Sequence, residues 1–150
     1  MMNMRCLTLI ISLIFTSFVG YSQTEKTDIS GIYQLPNGLE VKLYPEEDGS
    51  FSGKILALNS YENGEIFDVN NPDRSRRKDS LIGKILITGL VYNTEKRIWD
   101  KGIMYGPEKG LFFNLQVKES HAGGIEVVGS KFLFSKSMRW RRVTEEKENQ

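Results

Sequence analysis

The chain reads as an all-β protein, an antiparallel up-and-down β-barrel of about eight strands. Short segments rich in β-branched and aromatic residues are separated by clusters of Gly, Asn, Asp and Pro. Within several of these segments apolar and polar residues alternate with period two, the pattern of a half-buried strand. No segment carries a convincing apolar stripe at helical spacing. Closing such a sheet on itself removes its exposed edges, which suits a chain that has neither helices nor disulfides to cover them.

The first element is not part of the fold. Arg5 precedes an apolar run from Leu7 to Val19, followed by the small residues Gly20 and Ser22. That order is expected of a secretory signal peptide, residues 1–22, cleaved before Gln23. Its apolar core falls short of the roughly 20 helical residues needed to cross a bilayer. The working protein is thus expected to be residues 23–150, exported to the periplasm or secreted, with no membrane span, and monomeric. Cys6, the only cysteine, leaves with the leader. It also precedes the apolar run, which argues against a lipid anchor. Arg5 takes one of the 20 basic residues with it, matching the rest to the 19 acidic ones. A neutral chain has no global electrostatic footprint for nucleic acid.

Residues 23–28 are polar and form a lead-in. Residues 31–35 make a first strand, closed by the turn Pro36-Asn37-Gly38. Leu39, Val41 and Leu43 alternate with Glu40, Lys42 and Tyr44 on the second, and Glu46-Glu47-Asp48-Gly49 turns the chain. Phe51, Gly53, Ile55 and Ala57 mark the third. Residues 59–80 break the rhythm with a long polar connection, a length that usually signals function or disorder. Strand signals return at 82–92, 98–105 and 110–119. Gly123-Gly124 leads into 125–134, and 138–143 closes the domain ahead of a charged tail at 144–150, expected to be flexible.

Most familiar chemistries lack their residues. His121 is the only histidine and sits in a Gly-rich turn, so no usual zinc site, Cys–His pair or recognisable Ser–His–acid triad can be assembled. No glycine-rich phosphate or dinucleotide motif is present, and no cofactor is expected. Asp68-Val69-Asn70-Asn71-Pro72-Asp73 offers oxygens suited to calcium but lacks the glycine and distal glutamate of an EF-hand loop. Asn and Asp bonding their own backbone explain the segment more simply. Arg74, Arg76 and Arg77, with Lys78, are candidate anion contacts; as a local charge run they read first as a solvated loop.

Several blocks, in order, resemble the bacterial family known as domain of unknown function 2147. These are Asn70-Asn71-Pro72-Asp73, Ser80-Leu81-Ile82-Gly83, the run from Trp99 to Pro107 with Gly110, then Gly129 and Trp140-Arg141-Arg142-Val143. The resemblance implies an exported lipocalin-like (calycin-like) barrel with no established activity. Gly31-Ile32-Tyr33 stands where such chains often carry Gly-x-Trp, and Trp140-x-Arg142 looks like the closing-strand aromatic and arginine. That implies a barrel-closing contact between Arg142 and Tyr33.

The aromatics Tyr33, Phe51, Trp99, Tyr105, Phe112, Phe113, Phe132, Phe134 and Trp140 are spread over many strands. They either fill the core or wall a ligand cavity. On the second reading the protein is a non-enzymatic carrier of an apolar or lipid-like small molecule. Val41, Leu43, Phe51, Ile55, Phe113, Leu115, Ile125 and Val127 then line the barrel interior, with Tyr105 and an arginine orienting a polar end. The rival is an envelope interaction module with a filled core, contacting a protein partner through residues 59–80 and the barrel exterior. An enzyme ranks third.

Overall fold

The computed structural model describes residues 28–144; the expected leader and the tail beyond 144 lie outside them. Eight strands follow one another: β1 (Gly31–Gln34), β2 (Leu39–Pro45), β3 (Phe51–Leu58), β4 (Ile85–Asn93), β5 (Ile98–Gly106), β6 (Leu111–His121), β7 (Gly124–Lys131) and β8 (Phe134–Arg142). Each pairs antiparallel with the next, and β8 returns to β1 through Tyr33↔Arg142 and Gln34↔Arg141, closing the barrel. No helix among the described residues is long and apolar enough to cross a membrane.

The lumen is filled. Leu39, Val41, Leu43, Ile55, Ile87, Leu90, Val117, Ile125, Val127 and Trp140 are fully buried in one core, with Leu115 all but buried beside them. Glycines on the inner face mark how closely it is packed. A Cβ at Gly53 would lie 2.9 Å from both Leu43 and Ile87, and one at Gly102 would lie 2.7 Å from Leu90. Those separations are well inside carbon contact distance, so the opposite side chains already occupy the space.

Irregularities decide which face each residue takes. Lys101 has φ 62°, and the β5–β6 register shifts between Trp99 and Gly102. Trp99 and Gly102, an odd number of residues apart, therefore oppose Val117 and Leu115 on the same inner face. Tyr105, which plain alternation would align with Trp99, lands outside beside the half-exposed Phe112, ring centroids 4.9 Å apart.

Two expected boundaries are corrected. Residues 82–84 belong to the preceding turn, so β4 starts at Ile85. The last hairpin turns at Phe132-Leu133, where residues 125–134 read as one strand. None of the usual turn residues stands there; Phe132 instead takes φ 54°, a conformation costly for a side-chain-bearing residue.

Candidate functional site

The two ends of the barrel differ. At one end the Arg142 guanidinium lies 4.9 Å from the Tyr33 ring centroid and donates to the Ser30 carbonyl and the Tyr33 hydroxyl. The Tyr33 hydroxyl in turn donates to the Ile29 carbonyl. Burial raises the Tyr33 pKa, against the opposing pull of Arg142. The expected closing pair is thus present, and with Ile29 and Trp140 it seals this end.

Residues 59–84 form the long connection at the other end and pack across it rather than dangling. Of two short 3-10 turns, Tyr61–Gly64 precedes the bridge between Phe67 and Ser80 and Arg74–Arg76 lies inside the loop that this bridge closes. Tyr61 and Leu81 are buried in the core. Asn70 donates its amide to the carbonyls of Pro107 and Glu108, tying the connection to the β5–β6 turn.

Asp68 holds this arrangement against the outer face of β5. It is fully buried, and its Oδ1 accepts from the Tyr105 hydroxyl at 2.7 Å. Its Oδ2 accepts from Asn71 Nδ2 at 2.6 Å and lies 3.0 Å from Lys84 Nζ. Burial works to raise the Asp68 pKa, but the bonds from Tyr105, Asn71 and Lys84 outweigh it and hold the carboxyl below its ordinary range. Tyr105 moves the other way, raised by burial and by its bond to Asp68. Two other side-chain oxygens of the Asn70–Asp73 segment serve the backbone: Asn71 Oδ1 accepts from Asp73 N, and Asp73 Oδ1 caps the second 3-10 turn through Ser75 N.

Beside this connection the barrel mouth stays open, in a cavity of about 350 Å³ between β5, β6, β7 and β8. Its apolar lining is Leu111, Phe113, Phe134 and Met138, with Gly106 and Gly129 giving room. A Cβ on Gly129 would stand 3.1 Å from the Phe113 ring, so the floor is narrow. Lys109, Lys131 and Lys136 stand on its walls. Glu108 is also there, and its Oε2 is buried with no hydrogen-bond partner among the described residues.

A larger groove of about 650 Å³ runs outside the barrel between residues 71–85 and the Tyr105–Phe112 pair. It is rimmed by Asp73, Arg76, Asp79 and Lys84 around Ile82 and Ile85. Its charges are matched internally, since Arg76 Nε lies 3.1 Å from Asp79 and Lys84 serves Asp68. The mouth, whose lysines form no ion pair among the described residues and whose Glu108 leaves one buried oxygen unbonded there, is the better candidate site.

Of the nine residues expected to wall a cavity, only Phe113 lines the mouth. Val41, Leu43, Phe51, Ile55, Leu115, Ile125 and Val127 are packed into the core, and none borders the mouth or the exterior groove. Tyr105 is corrected to the outer face for the register reason given above. Arg74, Arg76 and Arg77 do not converge on one site: Arg77 donates to the Asn71 carbonyl, Arg76 pairs with Asp79, and Arg74 borders neither cavity. His121 is exposed at the end of β6. Sequence patterning misses the mouth lysines and names Phe134 only among the scattered aromatics that fill the core or wall a cavity. A pattern of Lys109, Lys131 and Lys136 has no local spacing, and only strand register brings it together.

A closed eight-stranded meander, sealed at one end by an arginine on an aromatic ring and open at the other, is a lipocalin-like barrel. A solved structure shares it: "Protein HP1028 from the human pathogen Helicobacter pylori belongs to the lipocalin family" superposes with a TM-score of 0.67. It is 22% identical to this chain, covering 79% of this chain and 85% of its own. The chain belongs to the family described as "Uncharacterized protein conserved in bacteria (DUF2147)", whose profile matches residues 31–142. No curated protein matches the sequence.

Proposed function

We propose that the protein is an exported, non-enzymatic carrier that holds a small amphipathic anion at the open mouth of its barrel. The observation that carries this reading is the mouth itself, an apolar floor of Leu111, Phe113, Phe134 and Met138 among Lys109, Lys131 and Lys136. An acyl or other apolar tail covers the floor while the lysines meet a carboxylate or phosphate. Glu108 Oε2 accepts from a hydroxyl or amine of the ligand. The volume of about 350 Å³ lies at the small end of the range for ligand sites, about 300–1,000 Å³, and favours a short chain over a whole phospholipid. Export rests on the leader-like segment of residues 1–22.

Calorimetric titration with decanoate tests the reading, alongside native mass spectrometry of the exported species. Saturable one-to-one binding is expected, weakened roughly tenfold when Lys109, Lys131 and Lys136 become Gln, at ~0.5 kcal/mol for each exposed charge contact. Absence of saturable binding by decanoate and by shorter and longer fatty acids, with no co-purified small molecule, refutes it.

A further inference from the structure

The β7–β8 turn is built against ordinary turn chemistry. Phe132, Leu133 and Phe134 follow one another with 92%, 99% and 82% of their surface exposed. Other hairpin turns carry residues such as Asn37-Gly38, Asp48-Gly49 and Gly123; Arg97 of the β4–β5 turn also takes φ 56°, but its neighbours Thr94, Glu95 and Lys96 are polar. Phe132 holds φ 54°, where Gly or Asn would fit without strain. Strain retained at an exposed tip points to a use for the side chains themselves.

We propose that this tip inserts into a lipid surface bearing anionic headgroups. The surroundings suit that partner. Lys131, with its Nζ 5.9 Å from the Phe132 ring, and Lys136 flank the apolar tip, and Lys109 stands across the mouth. Long lysine stems keep ammonium groups at headgroup level while the rings sink deeper. The backbone also tolerates insertion. Lys131 pairs with Phe134 at the last rung, so only the two turn residues leave ladder groups unpaired. A two-residue point is too small to supply the roughly 800 Å² per partner of a standard protein interface, whereas shallow insertion of about 5–10 Å needs no partner groove. Phe134 and the half-exposed Leu111 continue the apolar surface from the tip into the mouth cavity. Docked this way, the barrel faces its mouth to the bilayer, and an amphiphile passes between the two without crossing water.

Flotation with vesicles tests the proposal, using the full-length gene product recovered as the exported species. Phosphatidylcholine vesicles containing about one-third phosphatidylglycerol are compared with phosphatidylcholine alone. Wild type is expected to float with the anionic vesicles. The double variant Phe132→Ser, Leu133→Ser is expected to partition roughly tenfold less or weaker, with an unchanged thermal midpoint. Neither residue borders the mouth cavity, so decanoate binding in solution is a separate readout. Leu133→Trp adds an exposed indole to a protein whose Trp99 and Trp140 are already buried, and its emission should shift to shorter wavelength on vesicle addition. Equal flotation of wild type and double variant overturns the proposal. So does a wild type that self-associates through the tip, loses that association in the double variant, and ignores vesicles.

Discussion

Asp68→Asn should cost far more than an ordinary loop substitution. The replacement is nearly isosteric, so it removes the charge and one of the two acceptors that Tyr105, Asn71 and Lys84 use, without leaving a void. In the wild type the carboxylate is fully buried and meets Lys84 Nζ at 3.0 Å, with the lysine side chain only 10% exposed. Without it, the ammonium's remaining ion pair among the described residues is with Asp79 Oδ2, 3.9 Å away and 45% exposed. Leaving one partner of a buried ion pair uncompensated costs about 3–5 kcal/mol. Asp79 takes up part of the charge, so the lower end, about 3 kcal/mol, is expected, or a fall in Tm of roughly 10–15 °C for a domain this size. Urea unfolding followed by circular dichroism and by Trp99 and Trp140 fluorescence gives the number. A pH series supplies a second reading. Because the folded carboxyl lies below its ordinary pKa of about 3.9, its contribution is complete above that value and fades as pH falls through the lower, folded pKa. The variant should lose this acid-side component. A loss under about 1 kcal/mol, with the acid dependence unchanged, would refute the view that this cluster fastens residues 59–84 to the barrel.

Gly102→Ala should destabilise by about 1–3 kcal/mol in the same assay, since its Cβ would meet Leu90 at 2.7 Å; a neutral result would mean that the lumen has free space. Arg142→Ala should cost about 2 kcal/mol through the lost stacking on Tyr33 and the lost bonds to Ser30 and the tyrosine hydroxyl, with Arg142→Lys recovering only part. Met138→Trp, at the cavity wall, should block decanoate while leaving the unfolding midpoint within roughly 1 kcal/mol of wild type.

Fold and site differed in how much of each was written locally. Strand alternation of Leu39, Val41 and Leu43, and turns such as Pro36-Asn37-Gly38, are short-range consequences of backbone geometry, and they placed most of the meander. The closing contact was legible only through the resemblance carried by Trp140-Arg141-Arg142. Parity failed at Tyr105 because one left-handed residue, Lys101, moves every later side chain of β5 to the other face. A single-residue bulge has no strong sequence signature at a lysine. The β7–β8 turn failed for the opposite reason: Lys131 to Phe134 reads as strand by composition, and strand propensity lost to the register of two long paired strands.

The filled lumen changes where specificity has to reside. In a barrel with a hollow centre, interior side chains select the ligand and the rim merely admits it. Here even a methyl group at Gly53 or Gly102 would collide with Leu43, Ile87 or Leu90, so no ligand reaches the seven core residues that sequence alone would assign to it. On the proposed reading, selection falls to the rim, on residues contributed by one turn and four strand ends. Rim lysines discriminate by charge, and an apolar floor of four side chains discriminates weakly by length. A carrier built this way should accept a class of short anionic amphiphiles and release them readily. That behaviour fits a mouth held against a membrane better than one that must retain cargo in free solution.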